Sequence, residues 1–156
     1  MGHTFGVKCE KCTYSFEATV GHGMLGCGFL ETNPNTCKPY FYEYFENDKI
    51  INDIHLILRT GQNVREDEDT YLERKAWRGH GSAQYYCSEC GRLYNRYYFR
   101  LIFTGGEYDP EYFCEECGTQ LILIDLENSE IPNWHCPLCE HNRLIYDNNI
   151  PFILYD

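Results

Sequence analysis

The chain has 156 residues, a 16% aromatic share and a formal net charge of −11. That length holds one or two small domains, and the aromatic content is too high for a disordered tail. The acidic balance argues against bare phosphate backbones as partners, because nucleic-acid binding draws much of its affinity from Lys and Arg. There is no apolar run of the ~18 residues a membrane span needs.

In chain order, Met1 to Lys11 contains no apolar stretch of the signal-peptide kind, so the expected location is cytoplasmic. Tyr14 and Phe16 alternate with polar neighbours, as in a strand leaving a turn. Four glycines in residues 21–28 mark a turned loop, and Asn33-Pro34-Asn35 marks another turn. Ile50, Ile54, Ile57 and Leu58 lie near helical spacing, which predicts a helix from about Asn47 to Arg59 that ends near Gly61, with Asp48 as a capping residue. A second helix is predicted from Glu66 to Trp77, its acidic start and basic end matching the helix dipole. Beyond it the pattern reads as strands. Tyr85-Tyr86 leads into Cys87. Tyr97, Phe99, Leu101 and Phe103 alternate with Tyr98, Arg100 and Ile102, and Gly105-Gly106 turns the chain. Leu121–Asp125 and the approach to Trp134 are read as two short strands. Leu144–Tyr146 and Phe152–Tyr155, separated by Asp147-Asn148-Asn149, are read as a closing hairpin.

Ten cysteines are the dominant chemical feature. Eight form pairs with two intervening residues: Cys9/Cys12, Cys87/Cys90, Cys114/Cys117 and Cys136/Cys139. A tight turn across such a pair brings two thiolates onto one ion at about 2.3 Å, and two tetrahedral corners are left for a second pair. The spacing predicts two zinc ions, with iron possible in one site, since the same tetrathiolate can take either. The 18 residues between the third and fourth pairs fit ribbon spacing and assign Cys114, Cys117, Cys136 and Cys139 to one ion. Cys9, Cys12, Cys87 and Cys90 would then form the other across 74 residues, because loop closure costs grow only logarithmically. The rival scheme joins Cys87/Cys90 to Cys114/Cys117 across 23 residues and Cys9/Cys12 to Cys136/Cys139.

Cys87-Ser-Glu-Cys90-Gly91, Cys114-Glu-Glu-Cys117-Gly118 and Cys136-Pro137-Leu-Cys139 resemble the knuckles of zinc-ribbon, or rubredoxin-like, proteins. In that group Gly often follows the second Cys; Thr13 and Glu140 depart from the pattern. Together with the opening glycines around Cys9 and Cys12, these motifs resemble small bacterial proteins with two zinc ribbons. The resemblance implies a fold and a metal, and no activity.

The expected architecture is a small β-rich α+β fold: an N-terminal ribbon over residues 1–103 with a helical insert at about 47–78, and a C-terminal ribbon over residues 104–156. Four thiolates would fill each ion's coordination, leaving no position for substrate. No catalytic constellation is visible, so a structural zinc protein that binds a protein partner is expected, not an enzyme. Two other readings stay open. Tyr85-Tyr86, Tyr94 to Phe99 and the nearby Arg92, Arg96 and Arg100 could form a nucleic-acid platform. Cys27 or Cys37 could serve as a redox thiol. His135 and His141, beside the last pair, are read as supporting or surface residues, and the acidic run Glu66–Asp69 as a solvated helix start or a docking face for a basic protein.

Overall fold

A computed structural model of the chain describes residues 2–21, 30–45, 47–67, 80–126, 131 and 133–155. Its elements run β1 (Gly2–Cys9), β2 (Ser15–Gly21), β3 (Thr32–Asn33), β4 (Lys38–Pro39), α1 (Phe41–Tyr44), α2 (Asp48–Thr60), β5 (Arg65–Glu66), β6 (Gly81–Tyr86), β7 (Leu93–Tyr98), β8 (Leu101–Phe103), β9 (Gly106–Tyr108), β10 (Ile122–Ile124), β11 (Leu144–Tyr146) and β12 (Ile153–Tyr155). This is a small β-rich fold with antiparallel pairing throughout the described residues.

The main sheet is built from two hairpins of the same construction. In the first, β1 and β2 pair from Gly2↔Gly21 to Lys8↔Ser15, and the turn between them carries Cys9 and Cys12. In the second, β6 and β7 pair from Gly81↔Tyr98 to Tyr86↔Leu93, around a turn that carries Cys87 and Cys90. Each hairpin's first strand accepts a third strand on its other edge. β11 lies against β1, with Cys9 opposite Leu144, and β10 lies against β6, with Tyr86 opposite Ile122. Alternate side chains of the first hairpin (Phe5, Val7, Ala18 and Val20) bury one face together with Leu93.

The two hairpins meet where Gly21 pairs with Ser82. A Cβ on Gly81 would stand 2.7 Å from the backbone of Gly21, so this crossing requires glycine. Beyond the crossing, side-chain amides complete the β2 edge. Asn95 accepts from the Thr19 N–H at 3.0 Å and donates to the Glu17 carbonyl at 2.8 Å, while Gln84 donates to the Thr19 carbonyl at 2.5 Å. These bonds supply partners for backbone groups that the β2 edge leaves unpaired on this side.

The helical segment packs on the β6–β7 side. Ile50 and Ile54 of α2 are buried with Phe41, Phe45, Phe99, Leu101, Tyr85 and Leu121. The predicted helix is present, shifted by one residue at each end. Asn47 caps it, its side-chain oxygen accepting from the Lys49 N–H at 2.9 Å, so the cap precedes the expected Asp48. Leu58 is 40% exposed and lies off the buried face. The short α1 was not anticipated; its four residues are too few for a periodic signal, and burial of Phe41 holds it in place.

Three expectations about strands and one about a helix are corrected. The run from Tyr97 to Phe103 breaks at Phe99-Arg100. Tyr98 and Phe99 are both buried, and Arg100 turns outward to bond both Asp109 oxygens at 2.8 and 2.9 Å. β8 then leaves for a separate sheet with β5 and β9. β11 and β12 do not pair with each other: both lie along β1, β12 facing Gly2 to Thr4 and β11 facing Val7 to Cys9. Between them the chain makes a detour held by Asp147, whose N–H donates to the Gly6 carbonyl at 2.9 Å and whose carboxylate takes the Lys8 ammonium at 3.1 Å. Ile122–Ile124 pairs with β6, not with the approach to Trp134. Glu66, the expected start of a second helix, belongs to β5; the rest of that prediction, from residue 68 on, lies outside the described residues. No helix among the described residues is long and apolar enough to cross a membrane.

Candidate metal centres

The pairing of strands decides which cysteines meet. β11 follows Cys136/Cys139 and docks on the end of β1 that carries Cys9, so Cys9, Cys12, Cys136 and Cys139 converge. β10 follows Cys114/Cys117 and docks on the end of β6 that leads into Cys87, so Cys87, Cys90, Cys114 and Cys117 converge. This overturns the grouping by nearest ribbon spacing. The pairs Cys9/Cys12 and Cys87/Cys90 do not share a site, nor do Cys114/Cys117 and Cys136/Cys139. The second unit is nested whole inside the first, between β2 and β11. Residues on both sides of position 103 contribute to one sheet and one core.

Within each group the four sulfurs lie within 4.8 Å of one another. Cys9–Cys139 is 3.6 Å, Cys12–Cys136 3.5 Å, Cys87–Cys117 3.2 Å and Cys90–Cys114 3.6 Å. A tetrahedron with metal–sulfur bonds of about 2.3 Å has edges of about 3.8 Å, whereas a disulfide brings sulfurs to about 2.05 Å. The spacing therefore suits a tetrahedral ion and not a covalent bridge. Each group has two buried cysteines, one half-buried and one exposed.

The turns are built to present sulfur. In three of them the N–H four residues after the first Cys bonds back to that Cys carbonyl: Gly91 to Cys87, Gly118 to Cys114 and Glu140 to Cys136, each at 2.9 Å. All three residues have positive φ, at 72°, 70° and 60°. In all four turns the first Cys donates its own N–H to a carbonyl five residues on, at Tyr14, Arg92, Thr119 and His141. Backbone N–H groups also point at sulfur, as from Lys11 to Cys9 and Leu138 to Cys136, both at 3.4 Å.

Gly91 and Gly118 share this strained backbone but not their surroundings. A Cβ at Gly118 meets nothing within 4 Å, while one at Gly91 collides with the His135 carbonyl oxygen. Gly118→Ala is expected to cost only the left-handed strain, about 1–2 kcal/mol. Gly91→Ala should exceed about 3 kcal/mol, because the overpacking cost is added. Glu140→Gly should stabilise by about 1 kcal/mol by relieving that strain. Denaturant unfolding of the metal-loaded variants checks all three, and equal costs at positions 91 and 118 would contradict the close contact.

Crowding of the sulfurs shifts the thiols in both directions. Burial pushes Cys114 up, but the Tyr94 hydroxyl, the Cys117 and Glu116 N–H groups and the Cys117 thiol outweigh it and bring it down to about 6. Burial likewise pushes Cys9 up, but the Lys11 and Cys12 N–H groups with the Cys139 and Cys136 thiols outweigh it and bring it down to about 7. Cys90 is pushed up to about 12 by burial and by its Cys114 and Cys87 neighbours. Cys12, though drawn down by the Tyr14 N–H, is raised to about 12 by burial and by the Cys136, Cys139 and Cys9 thiols around it. Within each group the shifts run in opposite directions, down at one thiol and up at two of its neighbours. A bound ion would displace the protons of the thiols that ligate it.

The two groups are tied together through Trp134, two residues before Cys136. Its buried indole N–H donates to the Gly91 carbonyl at 2.8 Å, and its ring lies 6.2 Å from that of Tyr14. His135 donates to the Glu89 carbonyl at 3.0 Å, and His141 donates to the Glu10 carboxylate at 3.1 Å. Both histidines thus brace a turn of another segment, and neither belongs to the four-sulfur groups, as expected from sequence.

The arginines near the second group are engaged internally. Arg92 pairs with Glu116 at 3.4 Å, Arg96 with Glu115 at 2.6 Å, and Arg100 with Asp109. Cys37 is exposed in the β3–β4 turn with φ of 55°; Cys27 lies outside the described residues. Comparison of the chain with protein-family models, curated proteins and solved structures gives no significant match.

Proposed function

We propose that the two four-sulfur groups are structural zinc centres, that each three-stranded unit is a zinc ribbon, and that the protein is a non-enzymatic module for binding a basic protein partner. The convergence of each set of four sulfurs at near-tetrahedral spacing carries this reading. Four thiolates complete a tetrahedral ion and leave no position for water or substrate, which favours a structural role over catalysis. Iron fits the same donors, so its visible absorption is the distinguishing observation. Bound zinc would make an already acidic chain more so, since four thiolates outweigh one divalent ion. That charge favours a basic partner. The arginines considered as a nucleic-acid platform are paired with carboxylates, which weighs against that alternative.

Native mass spectrometry and the visible absorption spectrum of the purified protein test the metal reading. The expected result is a mass two zinc ions above the chain, with no retention on DNA or RNA at physiological salt and capture by a basic protein surface. A metal-free native mass, or salt-dependent retention on nucleic acid, would overturn it.

A further inference from the structure

One face of β7 clamps the turn that holds Cys114 and Cys117. Tyr94 and Arg96 alternate along β7 and so project to one side, and Arg92 immediately precedes the strand. Arg92 reaches Glu116, Arg96 reaches Glu115, and between them the Tyr94 hydroxyl lies 3.1 Å from the Cys114 sulfur. Arg96 also lies over the Tyr94 ring, 5.0 Å from its centroid, which fixes the ring's position. The Cys9 group is built differently. Among the described residues no side-chain hydroxyl is placed against its sulfurs, and its two turns have Thr13 and Glu140 where the other group has Gly91 and Gly118.

We propose that Tyr94 is a positioning residue for the second centre: its hydroxyl donates to Cys114, makes the Cys87/Cys90/Cys114/Cys117 ion the more firmly held, and leaves the Cys9/Cys12/Cys136/Cys139 ion as the one that exchanges first. The inference rests on both groups holding metal. A hydrogen bond to a ligating thiolate offsets its charge in a part-buried setting and fixes its orientation, and outer partners of this kind are worth about 10–100-fold in metal affinity. The strained Glu140 turn works in the opposite direction at the first centre.

The test follows zinc loss from the full-length, metal-loaded protein under a chelator, with thiol alkylation and peptide mapping to show which cysteines become free. In the wild type, Cys9, Cys12, Cys136 and Cys139 should be alkylated first. Tyr94→Phe keeps the ring beneath Arg96 and removes only the hydroxyl; it should speed alkylation of Cys87, Cys90, Cys114 and Cys117 about 10-fold and leave the other group's rate unchanged. After cobalt substitution, the same variant should shift the sulfur-to-metal charge-transfer band to lower energy, because the sulfur lone pairs lose a donor. A ring acting only as packing would move neither readout. Unchanged rates and spectrum in Tyr94→Phe, equal acceleration at both groups, or first release from the Cys87 group in the wild type would each overturn the proposal. A wild-type protein without two bound ions would instead overturn the metal reading beneath it, and the starting mass identifies that case before any variant is compared.

Discussion

Stripping the metal from the loaded protein is expected to abolish its cooperative thermal transition. The buried material around the first group is small, Cys9, Trp134 and Cys136, with Cys12, Tyr14, Ile131 and Leu144 packed partly against it. Little apolar surface there can compensate for the ordering of the two cysteine turns that meet at this group. Structural zinc contributes about 10–16 kcal/mol of apparent binding free energy per site, as much as the whole stability of an ordinary domain, about 5–15 kcal/mol. A chelator should therefore release two ions per chain and remove the near-ultraviolet circular dichroism of the packed aromatic rings. The larger core around α2, built from Phe41, Phe99, Ile50, Ile54 and Leu101, is the part expected to retain residual secondary structure. Unchanged thermal unfolding after both ions leave would show that the sulfurs are incidental to stability.

Replacing Trp134 is the single substitution expected to cost most outside the cysteines. Its indole is 3% exposed, sits between the two groups, and bonds the carbonyl of the residue directly after Cys90. Trp134→Ala should cost about 3–5 kcal/mol through loss of burial and the cavity left behind. Trp134→Phe retains much of the volume but leaves the Gly91 carbonyl without its donor, a loss of about 1–3 kcal/mol. Because the ring belongs to the segment leading into Cys136 and its acceptor belongs to the Cys87 turn, either change should also weaken metal retention at both groups. Denaturant unfolding gives the energies, and ion counts by native mass give the coupling. An alanine variant within about 1 kcal/mol of the wild type would mean that the two units stand independently.

These expectations depend on a topology that was only partly legible in the sequence. The eight ligand candidates were readable because a two-residue gap between cysteines is a local geometric requirement. α2 was readable because Ile50 and Ile54 repeat at helical spacing and a polar residue and a glycine bound it. The grouping of the pairs was not readable from spacing, since it depends on β11 choosing the edge of β1 across most of the chain, and three apolar residues, Leu144 to Tyr146, carry no partner preference. One local hint existed. The two pairs followed by glycine, at Gly91 and Gly118, meet each other, and the two that are not meet each other. The closing hairpin failed for a related reason. Asp147-Asn148-Asn149 is a turn sequence, but the chain resumes its direction because Lys8 and the Gly6 carbonyl bind Asp147 and hold both flanking strands on the same long edge. The break at Phe99-Arg100 was hidden because burial of two consecutive residues looks like continued alternation when only every second residue is counted.

The nesting of one unit within the other is tested most directly by counting ions in paired cysteine variants. Cys9→Ser/Cys136→Ser disables a single group and should retain one zinc ion. Cys9→Ser/Cys87→Ser disables both and should retain none. The reverse pattern, one ion in the Cys9/Cys87 variant and none in the Cys9/Cys136 variant, would contradict the nested arrangement and restore the grouping by sequence spacing.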